Sequence, residues 1–124
     1  MIVDLIASFG LITLLDVGTR LFLTPRRKHA HTRWCAIHAL ANVVIAVAAW
    51  PSLQTVHLKP LARDATFPTI LAISLHVYHV LAFELSTDDR VHHALYVAVM
   101  GTPSVVYHHR ATNALIVFLA GIPG

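Results

Sequence analysis

The chain has 124 residues, 56% of them hydrophobic and only 12% charged, with a mean hydropathy of +0.68 and a formal charge of +3. That length allows one domain of modest size, and a soluble domain would carry about a quarter charged residues, so lipid is expected as the main solvent. The basic residues gather at segment ends instead of forming a face with aromatic interleaving, which excludes a nucleic-acid surface, and the lone Cys35 excludes an internal disulfide or a cysteine-rich metal cage.

Residues 1–23 are apolar except for Asp4, Asp16, Arg20 and a few small polar side chains. As a helix they reach about 34 Å, enough to cross a hydrocarbon core of about 30 Å. The positive charges follow the apolar run instead of preceding it, which argues against a signal peptide. Asp16 and Arg20 are spaced to pair on one helical face, with Arg20 extending to the interface. The stretch 24–33 is strongly basic, with Arg26, Arg27, Lys28 and Arg33, and Pro25 ends the first helix. A second span is expected over 32–50, with Trp34 and Trp50 at its ends among headgroups. His38 and Asn42 lie one turn apart within it and read as interhelical glue.

Residues 51–66 hold two prolines with Lys59, Arg63 and Asp64 and read as a loop. Pro68 suits the first turn of a third helix running to about Leu85. The acidic corner 86–90 turns the chain. Ser86 or Thr87 can cap the next helix, and Asp88 and Asp89 complement its dipole. A fourth span is expected over 91–107 with a kink at Pro103, which cannot donate to the carbonyl of Val99. The apolar segment 111–122 is too short to cross and reads as a half-span or as part of a longer chain.

The fold expected is therefore all-α: a polytopic membrane bundle of four spans plus a short fifth apolar segment. Lys and Arg number five on the side of 24–33 and 86–90 and three on the other. This places the basic loop 24–33 on the cytosolic, stromal or matrix side.

Histidines are costly in hydrocarbon, yet His76, His79, His92 and His93 fall within eighteen residues. His76 and His79 share a face, while His92-His93 opens the next helix, one turn before Tyr96. With helix ends at about 85 and 91, the four imidazoles are not expected to meet. The expected polar cluster is Glu84, Asp88, Asp89, His92 and His93 near the basic side, with His76 and His79 extending inward. Three chemistries compete with ordinary interhelical hydrogen bonding. The first is proton transfer between histidine and carboxylate, and the second is metal ligation by His with Asp or Glu. The third is axial ligation of haem or chlorophyll by a lone histidine such as His38 or His76. The runs read HxxH and HH, unlike the HxxxH and HxxHH boxes of di-iron membrane oxygenases, and no metal ligand is assigned from them. His29, His31, His57, His108 and His109 fall at interfaces and are expected to be solvated.

With these residues in view, the chain resembles the TLC domain family of polytopic endoplasmic-reticulum proteins. The likeness begins at Arg33-Trp34 and His38, resumes over 74–78, and closes at His92-His93, covering about residues 33–93. The resemblance implies a lipid-handling membrane protein in which His92 and His93, and then Asp88 and Asp89, are catalytic or lipid-contacting. His79 and Val80 stand where the family usually has an aspartate, and the family's later acidic residues have no counterpart. A lipid-binding member follows more naturally than a complete acyl-transferase, and whether the chain is an enzyme stays open. His38, His76, Tyr78, His79, Glu84 and Tyr96 would line the lipid or cofactor site. The alternative is a small accessory subunit of a respiratory or photosynthetic membrane complex, its histidines contacting partner subunits, lipids or a tetrapyrrole. The membrane is the endoplasmic reticulum by resemblance, or an organellar inner or thylakoid membrane under the alternative.

Overall fold

The computed structural model describes residues 1–22 and 30–121, and the expected basic cluster Arg26, Arg27 and Lys28, with His29, lies outside them. The described chain is helical: α1 (Ile2–Phe22), α2 (Ala30–Thr55), α3 (Phe67–Ala82), α4 (Thr87–Leu95), a π turn (Tyr96–Gly101), α5 (Thr102–Tyr107) and α6 (Arg110–Gly121). Among the described residues, the pairing outside helices is an isolated antiparallel bridge between Arg63 and His109.

Helix α3 is central, packing against α1, α2, α6 and the π turn. Buried residues recur at helical spacing on its neighbours: Ser8, Ile12, Asp16 and Thr19 on α1, and Ile37, Ala41, Ile45, Ala49 and Ser52 on α2. The small side chains in these stripes let the helices approach closely. The core joins Ile12, Ile37, Ile45, Leu71, Leu75 and Ile116.

Polarity on α1 is inverted relative to a water-soluble bundle. Three of its four buried residues are polar, while Ile2, Val3, Ile6, Leu14, Val17 and Leu21 face outward. Helices α1 and α2 are each long and apolar enough to cross a membrane, and only 22% and 28% of their most apolar windows are buried within the fold. A core helix of a soluble protein would cover that surface, whereas lipid leaves it exposed at no cost. Helix α3 covers only 16 residues, about 24 Å at the helical rise.

Three boundaries differ from the sequence reading. Helix α2 passes through Pro51 to Thr55 instead of ending at Trp50. The proline removes one hydrogen bond of the ladder, but Ala49 and Ser52 on either side of it are buried, and α2 packs along α6. Helix α3 ends at Ala82, three residues early, and α4 starts at Thr87, four residues early. The expected break at Pro103 takes the form of the π turn. There the Thr102 N–H reaches the carbonyl of Val97, and the Thr102 hydroxyl donates to the same oxygen at 3.2 Å. The wider turn absorbs the missing proline donor upstream of where it would fall.

The loop 56–66 is fastened to the α5–α6 corner. Asp64 N–H donates to His108 O (3.0 Å), Arg110 N–H to Ala62 O (2.9 Å) and Ala111 N–H to Pro60 O (2.9 Å). Fully buried Asn113 accepts from the Thr69 hydroxyl (2.9 Å) and donates to Ala65 O (2.8 Å). His108 and His109 are half-buried in this corner, not freely solvated as expected, whereas His31 and His57 are exposed.

The π turn comes so close to α3 that a Cβ added at Gly101 would lie 2.9 Å from Ile73 Cγ1. Gly101→Ala is expected to destabilise the fold by about 1–3 kcal/mol through overpacking. Gly10→Ala and Gly18→Ala, which meet nothing within 4 Å, should be neutral or slightly stabilising. Unfolding midpoints of the three variants in one detergent check this order.

Candidate histidine site

The turn between α3 and α4 is short, so the last two turns of α3 lie level with the first two of α4. His76 and His79 on α3 and His93 on α4 are buried, and His92 is exposed at the margin. His79 Nδ1 and His93 Nε2 are hydrogen-bonded at 2.7 Å. The ring of His76 has its centroid 5.0 Å from that of His93 and 6.0 Å from that of His92. The four imidazoles therefore do meet, contrary to the expectation drawn from helix ends at about 85 and 91. The earlier end of α3 and the earlier start of α4 bring the two pairs to one depth.

Each buried ring is fixed by what surrounds it. His76 Nδ1 lies 2.8 Å from the carbonyl of Ala72, and the ring stacks on Tyr96 with centroids 3.8 Å apart and planes at 4°. His79 stacks on Trp34 at 3.6 Å and 9°. Trp34 also contacts His38 and Phe83, so this half-buried indole packs against the cluster at the start of α2. His38 reaches the cluster edge-on, 6.5 Å from His76, and pairs with Asn42 of its own helix at 3.0 Å. The Asn42 contact is intrahelical, while His38 also meets His76 of α3 across the helix interface.

The carboxylates lie outside this core. Glu84, Asp88 and Asp89 are exposed, and Glu84 and Asp89 line a cleft with His79, so the acids border the imidazoles instead of joining their buried core. Ser86 caps α4 as its spacing predicts: its hydroxyl oxygen accepts from Asp89 N–H (3.1 Å) and its O–H donates to Asp89 Oδ2 (2.7 Å). That side-chain bond holds the Asp89 carboxyl below its ordinary range, aided by the backbone bond and by His79 and His93, against a small burial effect. A carboxyl depressed in the folded state contributes stability that is present above about pH 4 and fades as pH falls through the folded value. Ser86→Ala should cost about 1 kcal/mol at neutral pH and flatten the acid limb of the stability profile, both read from unfolding across pH 3 to about 7.

Two cavities flank the histidines. A cleft of about 450 Å³ is lined by His31, Arg33, Trp34, His79, Glu84 and Asp89 among others. An apolar pocket of about 280 Å³ is lined by Thr69, Ile73, Tyr96, Val99, Leu115 and Ile116 with the π turn. His79 belongs to the cleft and Tyr96 to the pocket, so the chain of rings from His79 through His93 and His76 to Tyr96 joins them. No protein-family model, no curated protein and no solved structure matches the chain.

Sequence reasoning missed the role of Asp16. Instead of an interfacial pair, it is a buried hub of three helices. Arg20 Nε and Nη2 donate to Oδ2 at 3.0 and 2.6 Å, and the Tyr78 hydroxyl donates to the same oxygen at 2.8 Å. Arg33 Nε forms an ion pair with Oδ1 at 3.0 Å, at an angle outside hydrogen-bond geometry. Tyr78, expected as a ligand-binding residue, is thus committed to Asp16. Only the i,i+4 signal to Arg20 was visible in the sequence.

Proposed function

We propose that this chain is an integral membrane protein of the TLC type that binds or handles lipids at the histidine site between α2, α3 and α4. The observation that carries the reading is a polar cleft and an apolar pocket set at the two ends of one packed row of imidazole and aromatic rings. An amphiphile has the same division. Its headgroup would meet Arg33, His79 and Asp89 in the cleft, and its acyl chain would lie against Ile73, Val99 and Leu115. Support for the membrane comes from the inverted polarity of α1 and from the uncovered apolar faces of α1 and α2. In this topology α1, α2, α3 and residues 91–107 cross, the acidic corner 86–90 lies outside the hydrocarbon, α6 is a shorter apolar segment, and the basic stretch 24–33 faces the cytosol, stroma or matrix.

The resemblance at Arg33-Trp34, His38 and His92-His93 bears on the same place, since these positions contribute to or border the site. Any proton transfer would run chiefly through the imidazoles, because Asp89 hydrogen-bonds Ser86 and reaches His79 and His93 only electrostatically. The test is purification of the chain alone, mass spectrometry of its retained lipids, and assay with acyl-CoA and lipid acceptors. His92 is exposed, so His92→Ala should change stability by less than about 0.5 kcal/mol while reducing lipid retention or turnover at least about tenfold, a loss of about 1.4 kcal/mol. Absence of bound lipid and of turnover, with stoichiometric co-purification of other subunits, would replace this reading with that of an accessory subunit.

A further inference from the structure

The ring nitrogens of His76, His92 and His93 converge: one from each residue lies within 4.8 Å of the other two. We propose that these three imidazoles form a binding site for a divalent transition-metal ion of the zinc class, with an open coordination position. The inference uses the residues of the lipid site but does not depend on lipid binding.

Convergence alone would be weak, since histidines also pack together. A second observation points to a ligand. His93 is 6% exposed, and no hydrogen-bond partner among the described residues reaches its Nδ1. If His93 Nε2–H donates to His79 Nδ1, the orphaned Nδ1 carries a lone pair and is ready to bind a cation. The reverse assignment buries an N–H donor without an acceptor, which costs about 1–3 kcal/mol. His76 repeats the pattern. Its Nδ1–H donates to the carbonyl of Ala72, so the lone pair lies on Nε2, and stacking on Tyr96 fixes the ring plane. Metal-bound histidines are held in this way, with one nitrogen donating to a carbonyl or another acceptor and the other facing the metal.

The donor set selects the ion class. Three neutral imidazoles without thiolate or carboxylate suit zinc, copper, nickel or iron better than calcium or magnesium. Three histidines with one open position make a site at which zinc can hold water or a substrate oxygen. Zinc–nitrogen bonds of about 2.0–2.1 Å put tetrahedral ligands about 3.4 Å apart, so the ligand atoms must close by somewhat over 1 Å. His92, exposed on α4, has the freedom to supply that movement. The open position would take water or a substrate oxygen such as that of a headgroup.

Cobalt(II) titration of the full chain in metal-free detergent tests this. Expected is one equivalent of Co²⁺ per chain, with visible ligand-field bands of a low-coordinate site that Zn²⁺ bleaches. His92→Ala should abolish the bands with helicity retained. His79→Phe, which keeps a ring against Trp34 but removes the acceptor for His93, should weaken affinity about 10–100-fold. His57→Ala, exposed and distant in sequence from the site, should bind as the parent does. Absence of bands in a folded parent chain, or equal binding by His92→Ala, would overturn the site. Bands without lipid retention would uphold the metal site and count against the lipid reading alone; lipid retention without bands would do the reverse.

Discussion

Asp16→Ala is expected to destabilise the chain by about 3–5 kcal/mol, among the largest effects of any single substitution. The carboxylate is 2% exposed and neutralises two arginines from different helices while accepting the Tyr78 hydroxyl. Its removal leaves Arg33, with 21% of its side chain exposed, as a poorly compensated cation, and leaves the Tyr78 hydroxyl without its acceptor. Arg20, at 55% exposure, can turn outward, so Arg20→Ala should cost no more than about 1 kcal/mol. The ratio of the two losses is the diagnostic. It can be read from reversible unfolding in mixed micelles, where nearly equal losses would show that Asp16 is no hub.

His93→Ala should lower stability by about 2–4 kcal/mol and also empty the site of lipid. His93 is the buried residue of α4, and it touches His79, His76 and His92. Truncation opens a cavity under α4 and strands His79 Nδ1, so the short helix loses its main anchor to α3. The exposed neighbour His92 separates the two consequences, since its loss should impair function with little effect on folding. If His93→Ala retains parental lipid and the parental midpoint, the imidazole pair carries neither packing nor binding.

Much of the helix pattern was legible because period and caps act locally. The apolar run to Phe22, the Pro68 start, the Ser86 cap and the disturbance before Pro103 all follow from neighbours within one turn. Pro51 misled because its local penalty is outweighed by contacts with α6, which no window around residue 51 contains. The site itself was half legible. The density of histidines flagged the region, but their meeting depended on where α3 stops and α4 begins. Errors of three and four residues at those ends displace one pair against the other by about 10 Å at the helical rise. Asp16 with Tyr78, 62 positions apart, and Asn113 with Thr69, 44 positions apart, depend on how helices cross, and periodicity identifies faces without saying which faces meet.

The central claim is that lipid enters the bundle beside the histidines and does not merely surround it. A phospholipid with a photoreactive diazirine in its acyl chain, incorporated in nanodiscs with the full chain, tests it through mapping of the cross-linked residues. The account predicts labelling of Thr69, Ile73 and Ile116, the inner wall of the pocket beside Tyr96, that disappears in His93→Ala. Labelling confined to outward positions such as Leu14, Val47 and Leu81, unchanged by that substitution, would contradict it.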